Sequence, residues 1–273
     1  MQNFLSKKNA AIGIFDSGIG GLTIAKEINN VLPNENLIYF GDTEHLPYGE
    51  KSISSIQKFS EKIIKFLLNQ NCKIIIIACN SASASLNYRS FKKLILSGKI
   101  INVIDPVVNE ITKSYKNCTV GVIGTKATIE SGVYKRKIKK KSDSINVSSL
   151  ATPLLAPMIE EGFINQEISQ KIIRNYLINK KIKNIDHLVL ACTHYPLIQN
   201  EIEKFYNRKT NIINSSKIVA NTVKEKLIKL GLNNSCNNPK HEFFLSNYTK
   251  SFEKSANFFF KEKIKLRETN LFI

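Results

Sequence analysis

The chain has 273 residues, 42% of them hydrophobic, and a formal charge of +18 from 40 basic and 22 acidic side chains. That length and apolar content describe one large globular domain or two ordinary ones, and exclude a disordered or fibrous chain. The longest run without a polar residue, 74–79, falls far short of the roughly 18 residues of a membrane helix.

The positive charge is mostly lysine scattered along the whole chain, with arginine only at positions 89, 136, 174, 208 and 267. The one dense patch is "KRKIKKK" at 135–141, flanked by Tyr134 and interleaved with no other aromatic residue. It reads as a solvated helix face, so no specific nucleic-acid partner is expected. The opening "MQNFLSKKNA" lacks the apolar core of an export signal. The cysteines at 72, 79, 118, 192 and 236 are odd in number and follow no framework spacing. Reduced thiols and a cytoplasmic location are expected.

Strand-like apolar runs alternate with helix-length amphipathic ones. "AAIGIF" (10–15) leads through a glycine-rich turn into a helix over about 21–31. "NLIYF" (36–40) precedes the loop "GDTEHLPYG" and a helix over about 53–70. The run 74–78 precedes a helix to about 97, and "KIINVI" (99–104) follows. The second half repeats the pattern with "TVGVIG" (119–124), "INVSSL" (145–150) and "HLVLA" (187–191). Ile164, Ile168, Ile172 and Tyr176 mark a helix face between the last two. "HEFFLSN" after 231, an apolar helix near 249–260 and the tail "KIKLRETNLFI" close the chain. Continuous apolar strands separated by helices predict parallel sheets covered on both faces.

The two halves resemble each other. "IGIFDSG" and "VGVIGTK" are glycine-bearing strands that end in a small polar turn, and "IIIIACNS" and "LVLACTH" are apolar strands that end Ala-Cys-polar-polar. The expected fold is therefore α/β, with two pseudo-symmetric parallel-sheet domains and a cleft where their carboxyl ends meet. Residues 1–104 with 215–273 would form one domain and 105–214 the other, since "HEFFLSN" needs a sheet to join. Each half would deliver one cysteine, Cys79 or Cys192, to that cleft.

Each cysteine also precedes a helix start. Asn80 and Ser81 are candidate caps after Cys79, and Thr193 and Pro196 suit the first turn after Cys192. A helix N-terminus favours thiolate over thiol and offers free N–H donors to a carboxylate. Cys72 and Cys118 have no such context and read as packed side chains. Two thiols across a cleft allow three chemistries. A disulfide oxidoreductase would place its pair as Cys-X-X-Cys, which is absent. Cys79, Cys192 and His194 could form a Cys₂His zinc site of a hydrolase or dehydrogenase. A pair of acid–base catalysts on opposite faces of one carbon would invert that centre. A dinucleotide loop is not expected, because Thr23 stands where G-x-G-x-x-G needs its last glycine.

"GIFDSGIGGLT", "GDTEHLPYG", "ACNSASA", "GVIGT", "PMIEEG" and "LACTHYPLI" occur in the order and spacing of bacterial glutamate racemases, and the resemblance covers nearly the whole chain. It implies a cofactor-independent enzyme without a metal that interconverts L- and D-glutamate and supplies the D form for peptidoglycan synthesis. Cys79 and Cys192 resemble the two proton donor/acceptors, the first acting on D-glutamate and the second on L-glutamate. Asp16 and His194 resemble the side chains that assist them, and Glu160 matches an acidic residue near the site. Asp16, Ser17, Tyr48, Gly49, Asn80, Ser81, Thr193 and His194 resemble the substrate-binding positions. The implied partner is glutamate, with no membrane, and a homodimer is an arrangement the resemblance leaves open. Departures from the family pattern are Ser81 for threonine, Ala191 for glycine, Thr152 for cysteine and Asn214 for aspartate.

Overall fold

The computed structural model describes residues 8–235, 238–260 and 264–272. Most of the opening segment read for an export signal, and Cys236, lie outside them. The first half runs β1 (Ile12–Asp16), α1 (Leu22–Val31), β2 (Leu37–Gly41), α2 (Ile53–Asn69), β3 (Ile74–Ile77), α3 (Asn80–Ser85), α4 (Tyr88–Leu96) and β4 (Ile100–Asn102). The second runs α5 (Ile104–Ser114), β5 (Cys118–Gly124), α6 (Lys126–Glu130), α7 (Val133–Lys141), β6 (Ile145–Ala151), α8 (Leu155–Glu160), α9 (Glu167–Leu177), α10 (Lys180–Lys183), β7 (His187–Ala191), α11 (Gln199–Phe205) and β8 (Asn211–Ile213). The chain closes with α12 (Ser215–Leu230), β9 (His241–Leu245), α13 (Lys250–Phe260) and β10 (Leu266–Glu268).

Two all-parallel sheets result, one ordered β10-β9-β2-β1-β3-β4 and the other β6-β5-β7-β8. The strands β1, β2 and β3 are buried along their whole length, as strands covered by helices on both faces must be. The order β2-β1-β3-β4 matches β6-β5-β7-β8 strand for strand, so the pseudo-symmetry read from the sequence is a repeat of topology. In each sheet the connections diverge between the first strand and the third, β1 and β3 or β5 and β7. This is the switch point at which open α/β sheets leave a crevice at their carboxyl ends. β9 joins the first sheet against β2, with Phe243 beside Tyr39.

The sequence reading needs four corrections. The single helix expected from 80 to about 97 is two, because the Asn87 side chain accepts N–H groups from Arg89 and Ser90 and starts α4 anew. "KIINVI" yields a strand of three residues. Asn102 Oδ1 accepts from the backbone of Ile104 and Asp105 at 3.0 and 2.9 Å and opens α5 at once. The face 164–178 narrows to α9, where Gln166 and Ser169 form a reciprocal capping box. β8 and β10, three residues each, carry too little pattern to be read ahead. Among the described residues no helix is long and apolar enough to cross a membrane.

A buried ion pair anchors the first sheet at the end opposite the cleft. Lys73 and Glu35 are in contact with almost no exposure. Lys73 Nζ also donates to the carbonyls of Lys8 and Leu232 at 2.6 and 2.8 Å, and Glu35 Oε1 accepts from Asn234 N at 2.8 Å. Burial lowers the Lys73 pKa although Glu35 pulls the other way. Replacing Lys73→Met strands the Glu35 carboxylate and should cost about 3–5 kcal/mol in urea unfolding. The double variant Lys73→Met/Glu35→Gln should lose clearly less, and equal losses would refute the coupling.

Candidate active site

The carboxyl ends of both sheets face one cavity of about 210 Å³. Its walls include Ser17, Tyr48, Gly49, Cys79, Asn80 and Ser81 from the first half, and Glu160, Cys192, Thr193 and His194 from the second. Every site residue expected from the sequence therefore lines this space except Asp16, which lies beneath it, fully buried.

Asp16 ends β1 at the switch point. Its Oδ2 accepts the N–H groups of Gly18 and Gly21 at 3.1 and 3.0 Å, and its Oδ1 accepts the Thr193 hydroxyl at 3.2 Å. Burial raises its pKa, against the pull of the His194 charge and of the two backbone donors. The glycine turn after it leaves no room for a side chain. A Cβ on Gly20 would stand 2.4 Å from Thr193 Oγ1 and 2.7 Å from His194 Nδ1. At the other edge of the cavity a Cβ on Gly49 would meet Thr125 Cβ at 2.6 Å.

Cys79 is itself the N-cap of α3, and Asn80 is the first helical residue. The sulfur accepts the Ala82 N–H at 3.5 Å and donates to Ser17 Oγ at 3.8 Å. The expected cap, Asn80 or Ser81, is displaced because both side chains reach across to the second half. Asn80 Oδ1 accepts the Tyr134 hydroxyl at 2.8 Å, and Ser81 Oγ pairs with Thr125 Oγ1 at 2.9 Å. Burial and the Asp16 charge push the Cys79 thiol up to about 12, against the Ala82 and Ser17 hydrogen bonds, and the charge of Cys192 adds to the rise. Burial and the Asp16 charge both favour the thiol over the thiolate at Cys79.

Cys192 follows β7, where the sequence places it, but a 3₁₀ turn (Tyr195–Ile198) follows in place of an α-helix. Thr193 does not cap it, since its hydroxyl is taken by Asp16. The partner of Cys192 is His194, whose Nδ1 lies 3.6 Å from the sulfur, while Nε2 contacts Glu160 Oε2. Burial works against the imidazolium, but the hydrogen bonds and charges of Cys192 and Glu160 prevail and raise its pKa well above the ordinary value. Both ring nitrogens are thereby engaged. Among the described residues no three His, Cys, Asp or Glu side chains come together as metal ligands, so the alternative Cys79–Cys192–His194 zinc set is not assembled.

The sequence reading missed Thr125, Leu46 and Pro47, which also line the cavity. Thr125 had a signal: it follows the last residue of β5 and caps α6 with its hydroxyl, as a ligand-facing turn residue in such a sheet should. The basic run lies on α7 with several lysines engaged locally. Lys137 pairs with Asp105 at 2.6 Å and Lys141 donates to Asn109 at 2.8 Å.

The sequence pattern of Asp/Glu/Hydantoin racemases matches residues 14–223. The chain belongs to this family. The chain is 39% identical to glutamate racemase 3 of Caldanaerobacter subterraneus over 256 residues, 93% of this chain and 92% of that one. Among solved structures, the glutamate racemase of Francisella tularensis in complex with D-glutamate superposes with a TM-score of 0.88 at 38% identity, covering 97% and 99% of the two chains. A glutamate racemase isoform of Bacillus anthracis gives 0.89 at 34%, covering 96% and 98%. As a member, the chain is an amino-acid racemase with the two-domain α/β fold of its relatives.

The His194–Glu160 contact has a pH signature. A histidine pKa raised by folding contributes stability that is fully present below its unfolded value, near 6.5, and is lost as pH rises through the folded one. Glu160→Gln should therefore destabilise most just below pH 6.5 and progressively less in alkali. Chemical denaturation across that range measures it, and a pH-independent difference would refute the charged pair.

Proposed function

We infer that the chain is a glutamate racemase in which Cys79 and Cys192 exchange the α-proton on opposite faces of the substrate. The observation that carries this reading is one cavity with a thiol from each half, each thiol with a partner set of its own. Residues 1–104 with 215–273 act as one lobe and 105–214 as the other. The hydrophobic clusters support that division. Val219, Ala220, Val223 and Leu227 of α12 pack with the first sheet, whereas Val107, Val108 and Ile111 of α5 pack with the second.

From L-glutamate, Cys192 as thiolate removes the α-proton, with His194 and Glu160 beside it to balance the charge. Cys79, a thiol at rest, returns a proton to the other face. In the reverse direction the roles exchange: Cys79 must be the thiolate, and the α-ammonium of the substrate brings the positive charge that burial lacks. Ser17, Asn80, Ser81 and Thr193 are the hydrogen-bonding side chains for the substrate carboxylates and ammonium, with Tyr48 and Gly49 closing the wall. No cofactor or metal is required, because the two thiols supply both acid and base. D-glutamate made in the cytoplasm would serve peptidoglycan synthesis.

Turnover of L-glutamate in D₂O should place deuterium at Cα of the D product early, while residual L substrate stays largely unlabelled. The thiol that returns the proton has already exchanged with solvent. Cys79→Ser and Cys192→Ser should each nearly abolish racemisation, since a hydroxyl is too weak an acid for the transfer. Early label in substrate and product alike, followed by mass spectrometry, would mean that one base serves both faces. Exhaustive chelation should leave the rate unchanged, and activity lost to chelation and restored by zinc would replace this mechanism with a metal-dependent one.

A further inference from the structure

We propose that Tyr134, on the basic helix α7, is a positioning residue that fixes the side-chain amide of Asn80 with its N–H₂ toward the substrate. This role rests on the proposed racemase reading, in which Asn80 contacts a substrate carboxylate.

Tyr134 is buried, 3% exposed, among Val133, Ile138 and the second-half core. Its hydroxyl crosses between the lobes and donates to Asn80 Oδ1 at 2.8 Å. A primary amide can present either its carbonyl or its N–H₂ group to a site, and the two orientations have opposite polarity. The donated proton claims the carbonyl oxygen and turns Nδ2, which has no hydrogen-bond partner among the described residues, to the cavity that Asn80 lines. That orientation suits a carboxylate, and the flipped one would set two acceptors against each other. A phenol can donate or accept, and in the structure Tyr134 donates to the Asn80 carbonyl oxygen. Burial and the charge of Asp105 push its pKa up, so the phenol keeps the proton it donates.

The helix cannot easily withdraw. One turn beyond Tyr134, Lys137 pairs with Asp105 at 2.6 Å and reaches Tyr88 Oη at 3.3 Å. This second anchor lies on the same face of α7 and, through Tyr88, joins the same two lobes, but touches neither Asn80 nor the cavity. It separates the effect of holding the lobes together from the effect of orienting the amide.

The test compares Tyr134→Phe, Lys137→Met and Asn80→Ala, with glutamate kinetics in both directions, D-glutamate titration by calorimetry and a thermal melt of each. Tyr134→Phe should raise KM and the D-glutamate Kd about tenfold, the effect of one hydrogen bond, with kcat changed far less. Lys137→Met should leave both within about twofold, as expected of a partly exposed ion pair that touches neither the amide nor the cavity. In an Asn80→Ala background Tyr134→Phe should add nothing. An unchanged KM in Tyr134→Phe overturns the proposal. So does a rise that persists undiminished on Asn80→Ala, or an equal rise in Lys137→Met. A wild-type chain that racemises while Tyr134→Phe behaves as wild type removes only this role. A wild-type chain that neither racemises nor binds glutamate removes the proposed function with it.

Discussion

The seam between the glycine turn 18–21 and the segment 192–194 holds the site together. Gly20 lies so close to Thr193 and His194 that no side chain fits between them. Thr193 donates to Asp16, and Thr23 donates back to the Thr193 carbonyl at 3.2 Å. These contacts bind the end of β1 to the end of β7, and with them the surroundings of Cys79 to those of Cys192. Opposed proton transfer at one carbon requires two groups held on opposite sides of an atom at hydrogen-bonding range, a tolerance of tenths of an ångström. Two lobes joined only by a flexible connection could not keep it. In the proposed reaction the seam would supply that rigidity through small residues and buried hydrogen bonds, supported at the rim by Ser81 with Thr125 and by Lys126 with Glu50.

What could be read from the sequence were features written locally. The strands announce themselves as continuous isoleucine and valine runs, because a parallel sheet covered on both faces needs no polar side. The cysteines announce themselves by standing at equivalent strand ends. What could not be read were contacts between residues distant in the chain. Asn80 and Ser81 look like helix caps by type and position, yet their side-chain oxygens are claimed by Tyr134 and Thr125, 54 and 44 residues away. The cap then falls to Cys79 itself. Thr193 is likewise taken from its expected role by Asp16, 177 residues distant. In each case a long-range partner outbid a local propensity for the same side chain.

The repeat is faithful in backbone and broken in side chains. β1 and β5, and β3 and β7, occupy matching places in the two sheets. The residue that ends β1 is a buried carboxylate, however, and the one that ends β5 is Gly124. Cys79 sits at the N-cap of a helix with a serine hydroxyl as neighbour, while Cys192 sits before a 3₁₀ turn with a histidine–glutamate pair. The two thiols consequently see different charges: a carboxylate beneath the first and an imidazolium beside the second.

That asymmetry has a strict limit in the proposed reaction. L- and D-glutamate are mirror images and have equal free energy in water, so the equilibrium constant is one whatever the protein does. The ratio kcat/KM measures the barrier from free enzyme and substrate to the transition state. Both enantiomers start from the same free energy and share that transition state, so kcat/KM must be equal in the two directions. The different surroundings of Cys79 and Cys192 can act only on the bound states. A protein that keeps Cys79 as thiol and a cation beside Cys192 prepays the protonation pattern that the L isomer needs, and asks the D isomer to reverse it on binding. The cost of that reversal must appear as a matched change in kcat and KM for D-glutamate, and can never appear in their ratio.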